Sequence, residues 1–151
     1  MLTPLAARRW TCRHAHPEEE DLLTEWRVAY AREALGAADS ATLRDESRAE
    51  IVLLRRERAD FVLEHEGLPV AFAAYNAHLP DIVQIGGVWT PPALRGRRYG
   101  RGVTAGALLA ARDAGATRAV LFTDNPIASR AYEALGFRRV GHYGLVLLAH
   151  G

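Results

Sequence analysis

The chain has 151 residues, about half of them apolar, enough for one packed core. All nineteen basic residues are arginine, and Cys12 is the only cysteine, which excludes an internal disulfide and leaves any zinc site to other ligands. No apolar run approaches the roughly 20 residues of a membrane helix, and Met1 to Trp10 lacks the apolar block of a signal peptide, so the expectation is one cytoplasmic domain that does not engage a membrane.

Charge is divided along the chain. Met1 to Asp81 carries ten arginines and fifteen acids, net −5, whereas Ile82 to Gly151 carries nine arginines and three acids, net +6. Between Ile82 and Arg112 there are five arginines and no acid, and a field of one sign concentrates ligands of the other. An anion is expected to bind there. The acidic first half favours a cationic partner, though acids on solvated helix faces carry little weight.

Pro17 followed by Glu18, Glu19, Glu20 and Asp21 reads as the first turn of a helix, since proline suits its first position and carboxylates complement the positive dipole end. Its body reaches about Leu35 and stops at Gly36, with Leu22, Trp26 and Tyr30 as the buried stripe. A second helix over 40–56 turns Leu43, Ile51 and Leu54 inward. Asp60 to His65 and Val70 to Asn76 read as a hairpin, and Ile82 to Thr90 as a third strand, interrupted by Gly86-Gly87 where glycine marks a bulge or a close approach. A helix follows from Tyr99 to about Ala114, then a short strand over 119–123. Asn125 or Asp124 can cap the next helix, which Gly136 ends, and 137–148 supplies one or two last strands. Strands alternating with helices imply a mixed sheet covered on both faces.

The turn Arg95-Gly96-Arg97-Arg98-Tyr99-Gly100-Arg101-Gly102 lies between a strand and a helix, where free N–H groups of a helix start face an anion, glycines admit close approach and arginines add charge. A P-loop requires a lysine, and the chain has none. Gly100 to Ala105 matches the G-x-G-x-x-A of dinucleotide folds, with Asp124 about 20 residues on, but Pro91-Pro92 separates it from the strand and too little chain remains for the second half of that fold. A nucleic-acid-binding module would set the same arginines on phosphates, with aromatics spread over one exposed face; the aromatics here fall at positions that read as buried.

Pro92-Ala93-Leu94-Arg95-Gly96-Arg97-Arg98-Tyr99-Gly100 together with Asn125-Pro126-Ile127-Ala128-Ser129-Arg130-Ala131-Tyr132-Glu133-Ala134-Leu135-Gly136-Phe137 resembles the GNAT superfamily of acetyl-CoA-dependent N-acetyltransferases, over about Ile82 to Val140. The first segment fits P-x-x-R-G-x-G-[IY]-G except that Arg98 stands where a glycine is usual; if that position has positive φ, arginine is strained there. A register two residues later, Arg97 to Gly102, fits the shorter [QR]-x-x-G-x-[GA] and leaves the same loop as the site. The second segment fits N-x-x-A-x-x-x-Y-x-x-x-G-F.

The resemblance implies a three-layer α/β/α domain whose mixed, mostly antiparallel sheet splays at the cofactor site. It implies that Arg95, Gly96, Arg97, Arg98, Tyr99, Gly100 and Arg101 wrap the CoA pyrophosphate, that Val88, Trp89 and Thr90 pair with the pantetheine arm, and that Asn125 hydrogen-bonds that arm. Tyr132 is then the general acid that protonates the departing thiolate after direct attack through a tetrahedral intermediate, a role that a phenol of pKa near 10 fits. No metal is called for. Read without the resemblance, Tyr132 is a core aromatic and Asn125 a helix cap. No acid occupies Ile82 to Thr90, so the base is unassigned, with His78, Asp81 and Glu64 as candidates acting through water. The acceptor is a small-molecule or peptide amine, a homodimer is compatible with the pattern, and an acetyl-CoA sensor without catalysis is the alternative.

Overall fold

Asp60 to Trp89 alternates residues between two apolar environments, and the sheet that results separates two helical layers. In the computed structural model, which describes residues 9–142, strand β1 (Trp10–Arg13) leads through a 3-10 turn at Pro17–Glu19 into helices α1 (Glu20–Leu35) and α2 (Ala41–Arg56). Strands β2 (Asp60–His65), β3 (Leu68–His78) and β4 (Ile82–Trp89) follow, then a 3-10 turn at Pro92–Leu94, helix α3 (Tyr99–Asp113), strand β5 (Arg118–Leu121) and helix α4 (Pro126–Glu133). The strands lie in chain order, β1-β2-β3-β4-β5, antiparallel except for β4 and β5, which run parallel because α3 carries the chain back over the sheet. The three-layer fold with a mixed, mostly antiparallel sheet is thus as expected.

Alternation in β2 divides the core. Phe61 and Leu63 face α3 and pack with Ala71, Ala73, Ile85, Val103 and Ala107. Val62 faces the other way and packs with Leu23, Ile51, Leu54, Phe72 and Ala74 beneath α1 and α2. Tyr75 ties β3 to α3 by donating its hydroxyl to the Ala107 carbonyl at 2.7 Å. Gly102 sets the approach of α3: a Cβ there would lie 2.7 Å from the Trp10 ring and 3.0 Å from Leu63.

One strand was not expected, and two expectations are corrected. Trp10–Arg13 is a strand, half-buried through Trp10 and Cys12 and held by pairing with Val62–His65. The buried stripe of α1 is Leu23, Val28 and Ala31 with Thr24, while Leu22 is 39% exposed. The inward face is shared between the sheet and α2, so it does not follow the four-residue spacing of the largest side chains. Phe137 to His142 forms no strand, and the rest of the expected final strands lies outside the described residues.

Many acids of the first half are bonded to neighbouring arginines. Arg48 bonds both Glu20 and Asp21, Arg55 bonds Glu20, Arg13 bonds Glu19 and Glu64, and Arg44 pairs with Glu25. These pairs tie much of that charge to neighbours, while Asp45, Glu46 and Glu57 form no ion pair among the described residues and leave the segment acidic. No helix among the described residues is long and apolar enough to cross a membrane.

Candidate active site

The Gly86-Gly87 pair breaks the ladder where the sequence suggested. Ala74 opposes Gly86 but Phe72 opposes Trp89, so β4 carries one extra residue there, and Gly87 has φ +60, a conformation glycine adopts without a Cβ penalty. A second irregularity lies across from it, where Asn76 is the extra residue of β3 between Tyr75 and Ala77. On the other side, β4 pairs with β5 only from Ile82/Arg118 to Ile85/Leu121. β5 then ends while β4 runs on to Trp89, so from Gly86 onward that edge of β4 has no strand partner among the described residues.

The unpaired edge leads directly to the start of α3. Gly96 has φ +83 and Arg98, the N-cap, has φ +66 with no side-chain cap bond. The first helical bond is Gly102 N–H to Arg98 C=O. Among the described residues, none of the backbone N–H groups from Gly96 to Arg101 donates to an acceptor. A concentrated run of free donors at a helix start is an anion cradle. The cradle adjoins the strand end, since a Cβ on Gly100 would meet Thr90 Oγ1 at 3.7 Å and Val88 at 3.8 Å.

The arginines of this turn differ in role. Arg95 is held: its Nη atoms bond both oxygens of Glu33 at 2.8 and 3.0 Å, its Nε donates to the Thr90 carbonyl at 3.0 Å, and it lies 4.8 Å over the Trp89 ring. It ties the turn to α1 and to the end of β4 and is not a free cation. Arg97, Arg98 and Arg101 form no ion pair among the described residues, and the Arg101 Nε is buried without a partner. Tyr99 turns inward, 4% exposed, with its hydroxyl 2.7 Å from His65 Nδ1 and its ring edge-on to Trp10, so only its backbone N–H belongs to the cradle. Trp89 is likewise buried, opposite Phe72, and offers a ligand its backbone.

Asn125 caps α4, its Oδ1 accepting from Ile127 N at 2.9 Å and Ala128 N at 3.4 Å. Tyr132 lies on the half-buried side of α4 with Ala128, Ala131 and Leu135, packs edge-on against Phe137, and is pushed up to about 12 by burial and, second, by the neighbouring Tyr30 of α1. It therefore keeps its proton throughout the neutral range.

The three base candidates are not brought to this place. His78 pairs with Val83 near the opposite end of β4, six residues or roughly 20 Å from Trp89. Asp81 is bonded to Arg118 at 2.8 Å and Glu64 to Arg13 at 2.9 Å. The residues beside the bulge that sequence reasoning missed come from α1 and α2: Arg27, Tyr30, Glu33 and Glu50. A Cβ on Gly87 would lie 3.1 Å from Arg27 Nη1, and Arg27 Nη2 bonds Glu50 at 2.7 Å. Nothing in the local pattern signals this, because the partners are separated by long stretches of chain.

The model of the acetyltransferase (GNAT) family matches residues 17–137. The chain belongs to the GNAT acetyltransferase family. Solved structures share the fold of this GNAT chain at low identity. A predicted acetyltransferase with acetyl-CoA from Clostridium acetobutylicum is 15% identical with a TM-score of 0.70, over 91% of this chain and 96% of that one. A transcriptional regulator from Bacillus halodurans is 21% identical with a TM-score of 0.72, over 93% and 99%. Glucosamine-6-phosphate N-acetyltransferase from Arabidopsis thaliana is 13% identical with a TM-score of 0.67, over 93% and 99%. No curated protein matches the sequence.

Proposed function

We propose that this GNAT chain moves an acetyl group from acetyl-CoA to a primary amine. The observation that carries the reading is the run of free N–H groups from Gly96 to Arg101, set at the end of a strand edge that has lost its partner. A diphosphate needs several donors within reach and a positive surround, which Arg97, Arg98 and Arg101 supply. A pantetheine arm carries amides, and the open edge of Val88, Trp89 and Thr90 matches them by strand addition. Asn125 uses its Oδ1 in the helix cap, which leaves its Nδ2 to hydrogen-bond the arm, as the family resemblance implies. Acetyl-CoA supplies the activated thioester; the protein's own part is to orient it, exclude water and return a proton.

Tyr132 is the residue suited to that proton. Its phenol is held protonated by burial; once the amine nitrogen has added to the thioester carbon and given up a proton to solvent, the tetrahedral intermediate collapses, the C–S bond breaks, the phenol protonates sulfur, and solvent returns that proton to the phenolate. Arg95 enters as a positioning residue: by bonding Glu33 and the Thr90 carbonyl it fixes where the cradle begins relative to the strand.

The reading is tested by thiol release from acetyl-CoA over a panel of amines, beside thermal stabilisation by the same donor. Tyr132→Phe is expected to lower kcat by about a hundredfold or more while leaving the KM for acetyl-CoA nearly unchanged. Equal turnover in the variant would make Tyr132 structural. No stabilisation of the wild type at millimolar acetyl-CoA would overturn the reading, and stabilisation without turnover of any amine would make the domain a sensor.

A further inference from the structure

The bulge of β4 has a polar face that the donor side does not use. Gly86 and Gly87 both lack a side chain, and the room that a Cβ would occupy is bordered by two groups. At Gly87 it is Arg27 Nη1, 3.1 Å from the Cβ position; at Gly86 it is the side-chain amide of Asn76, with which any side chain there would collide. Arg27 comes from α1 and Asn76 from the bulge of β3, so two elements far apart in sequence converge on the same two glycines.

Arg27 is mostly buried and firmly oriented, with a side-chain exposure of 16%. Its guanidinium lies 4.9 Å over the ring of Tyr30, and Nη2 is bonded to Glu50 of α2 at 2.7 Å. Nη1 donates to nothing among the described residues, and neither does the Asn76 amide. A guanidinium clamped on one side and free on the other, with its free N–H beside the glycine backbone, suits an oxyanion. Glu50 presents the opposite charge beyond the same guanidinium, so the pair complements a group that carries both an amine and a carboxylate. Of the other acids of α1 and α2, Glu20, Asp21, Glu25 and Glu33 are paired with arginines, whereas Asp45 and Glu46 form no ion pair among the described residues.

We propose that Arg27, assisted by the Asn76 amide, binds a carboxylate on the acceptor, which makes the acceptor an amino-acid-like amine and not a simple cationic one. This rests on the acetyltransfer reading and sharpens its substrate class. It reverses the expectation drawn from the acidic first half.

The experiment compares, by thiol release, a set of L-amino acids with the same compounds as carboxamides and as decarboxylated amines. Wild type is expected to prefer the acids. Arg27→Gln should raise KM for the acids roughly tenfold to hundredfold, the loss of a charged hydrogen bond, leave the carboxamides within about threefold, and leave stabilisation by acetyl-CoA unchanged. Arg27→Lys should recover part of the loss. Should Arg27→Gln fail to fold, Asn76→Ala at its exposed position is expected to raise KM for the acids alone by a few-fold. Carboxamides or decarboxylated amines used as well as the acids, or an equal loss on all three classes in the variants, would overturn the proposal while leaving the acetyltransferase reading intact. If no amine turns over, thermal stabilisation by the amino acids in the presence of CoA decides, and none would overturn it. Failure of acetyl-CoA itself to stabilise the wild type is the separate failure of the underlying reading.

Discussion

Replacing Arg98 by glycine should make the protein more stable and its cradle weaker. Arg98 is exposed, bonds no other side chain among the described residues, and has φ +66. An L side chain held in the left-handed region costs about 1–2 kcal/mol. Glycine removes that strain but gives back about 0.5–1 kcal/mol through the greater freedom of the unfolded chain. The net gain is about 0–1.5 kcal/mol, and for a chain of this size each kcal/mol raises Tm by about 2–4 °C. Arg97→Gly is the control: Arg97 is equally exposed but has no positive φ, so it should lose about 0.5–1 kcal/mol. Calorimetry of the two variants without ligand should therefore give shifts of opposite sign. Binding should move together in both, with acetyl-CoA affinity falling roughly two- to fivefold as an exposed charge leaves the phosphate site. A lower Tm for Arg98→Gly, or shifts of the same sign, would refute the strain argument.

Gly102→Ala should destabilise by about 1–3 kcal/mol, partly offset by about 1 kcal/mol of helix propensity, because the added methyl meets the Trp10 ring at 2.7 Å; thermal unfolding measures it. Tyr75 and Tyr132 are both pushed up to about 12, mainly by burial. Their folded values exceed the usual 10, so the stability they contribute is complete below about pH 10 and is lost as pH rises toward 12; unfolding titrations in that window should show the decline, and a flat profile would contradict the burial. Glu33→Gln should cost about 0.2–1 kcal/mol of stability, as for an exposed pair, and raise the KM for acetyl-CoA with little change in kcat, since it loosens the turn through Arg95.

The central elements were legible because their signals are local. Pro17 with its carboxylates, Ser40, Gly36 and the hairpin at Glu66-Gly67 mark boundaries within a few residues, and Gly86-Gly87 announced the bulge. Strand β1 was not legible, since four residues give too short an alternation and its place depends on pairing with a strand some fifty residues on. The same limit governs the site. Sequence counts the charge on Arg95 but not its partner, Glu33, which lies 62 residues away. Arg27 and Glu50 were invisible as site residues for the same reason: their relation to Gly87 exists only once α1, α2 and β4 are packed. Arg98 was the reverse case, a departure from the family pattern whose strained backbone the motif alone anticipated.

The free N–H groups from Gly96 to Arg101 are expected to hold the donor's diphosphate. Amide hydrogen exchange with and without acetyl-CoA, read residue by residue, tests this most directly. Exchange at 96–101 is expected to be fast in the free protein and to slow by more than tenfold with saturating acetyl-CoA, accompanied by protection along 88–90. Stabilisation of the fold with these amides still exchanging freely, or protection confined to another part of the sheet, would contradict it.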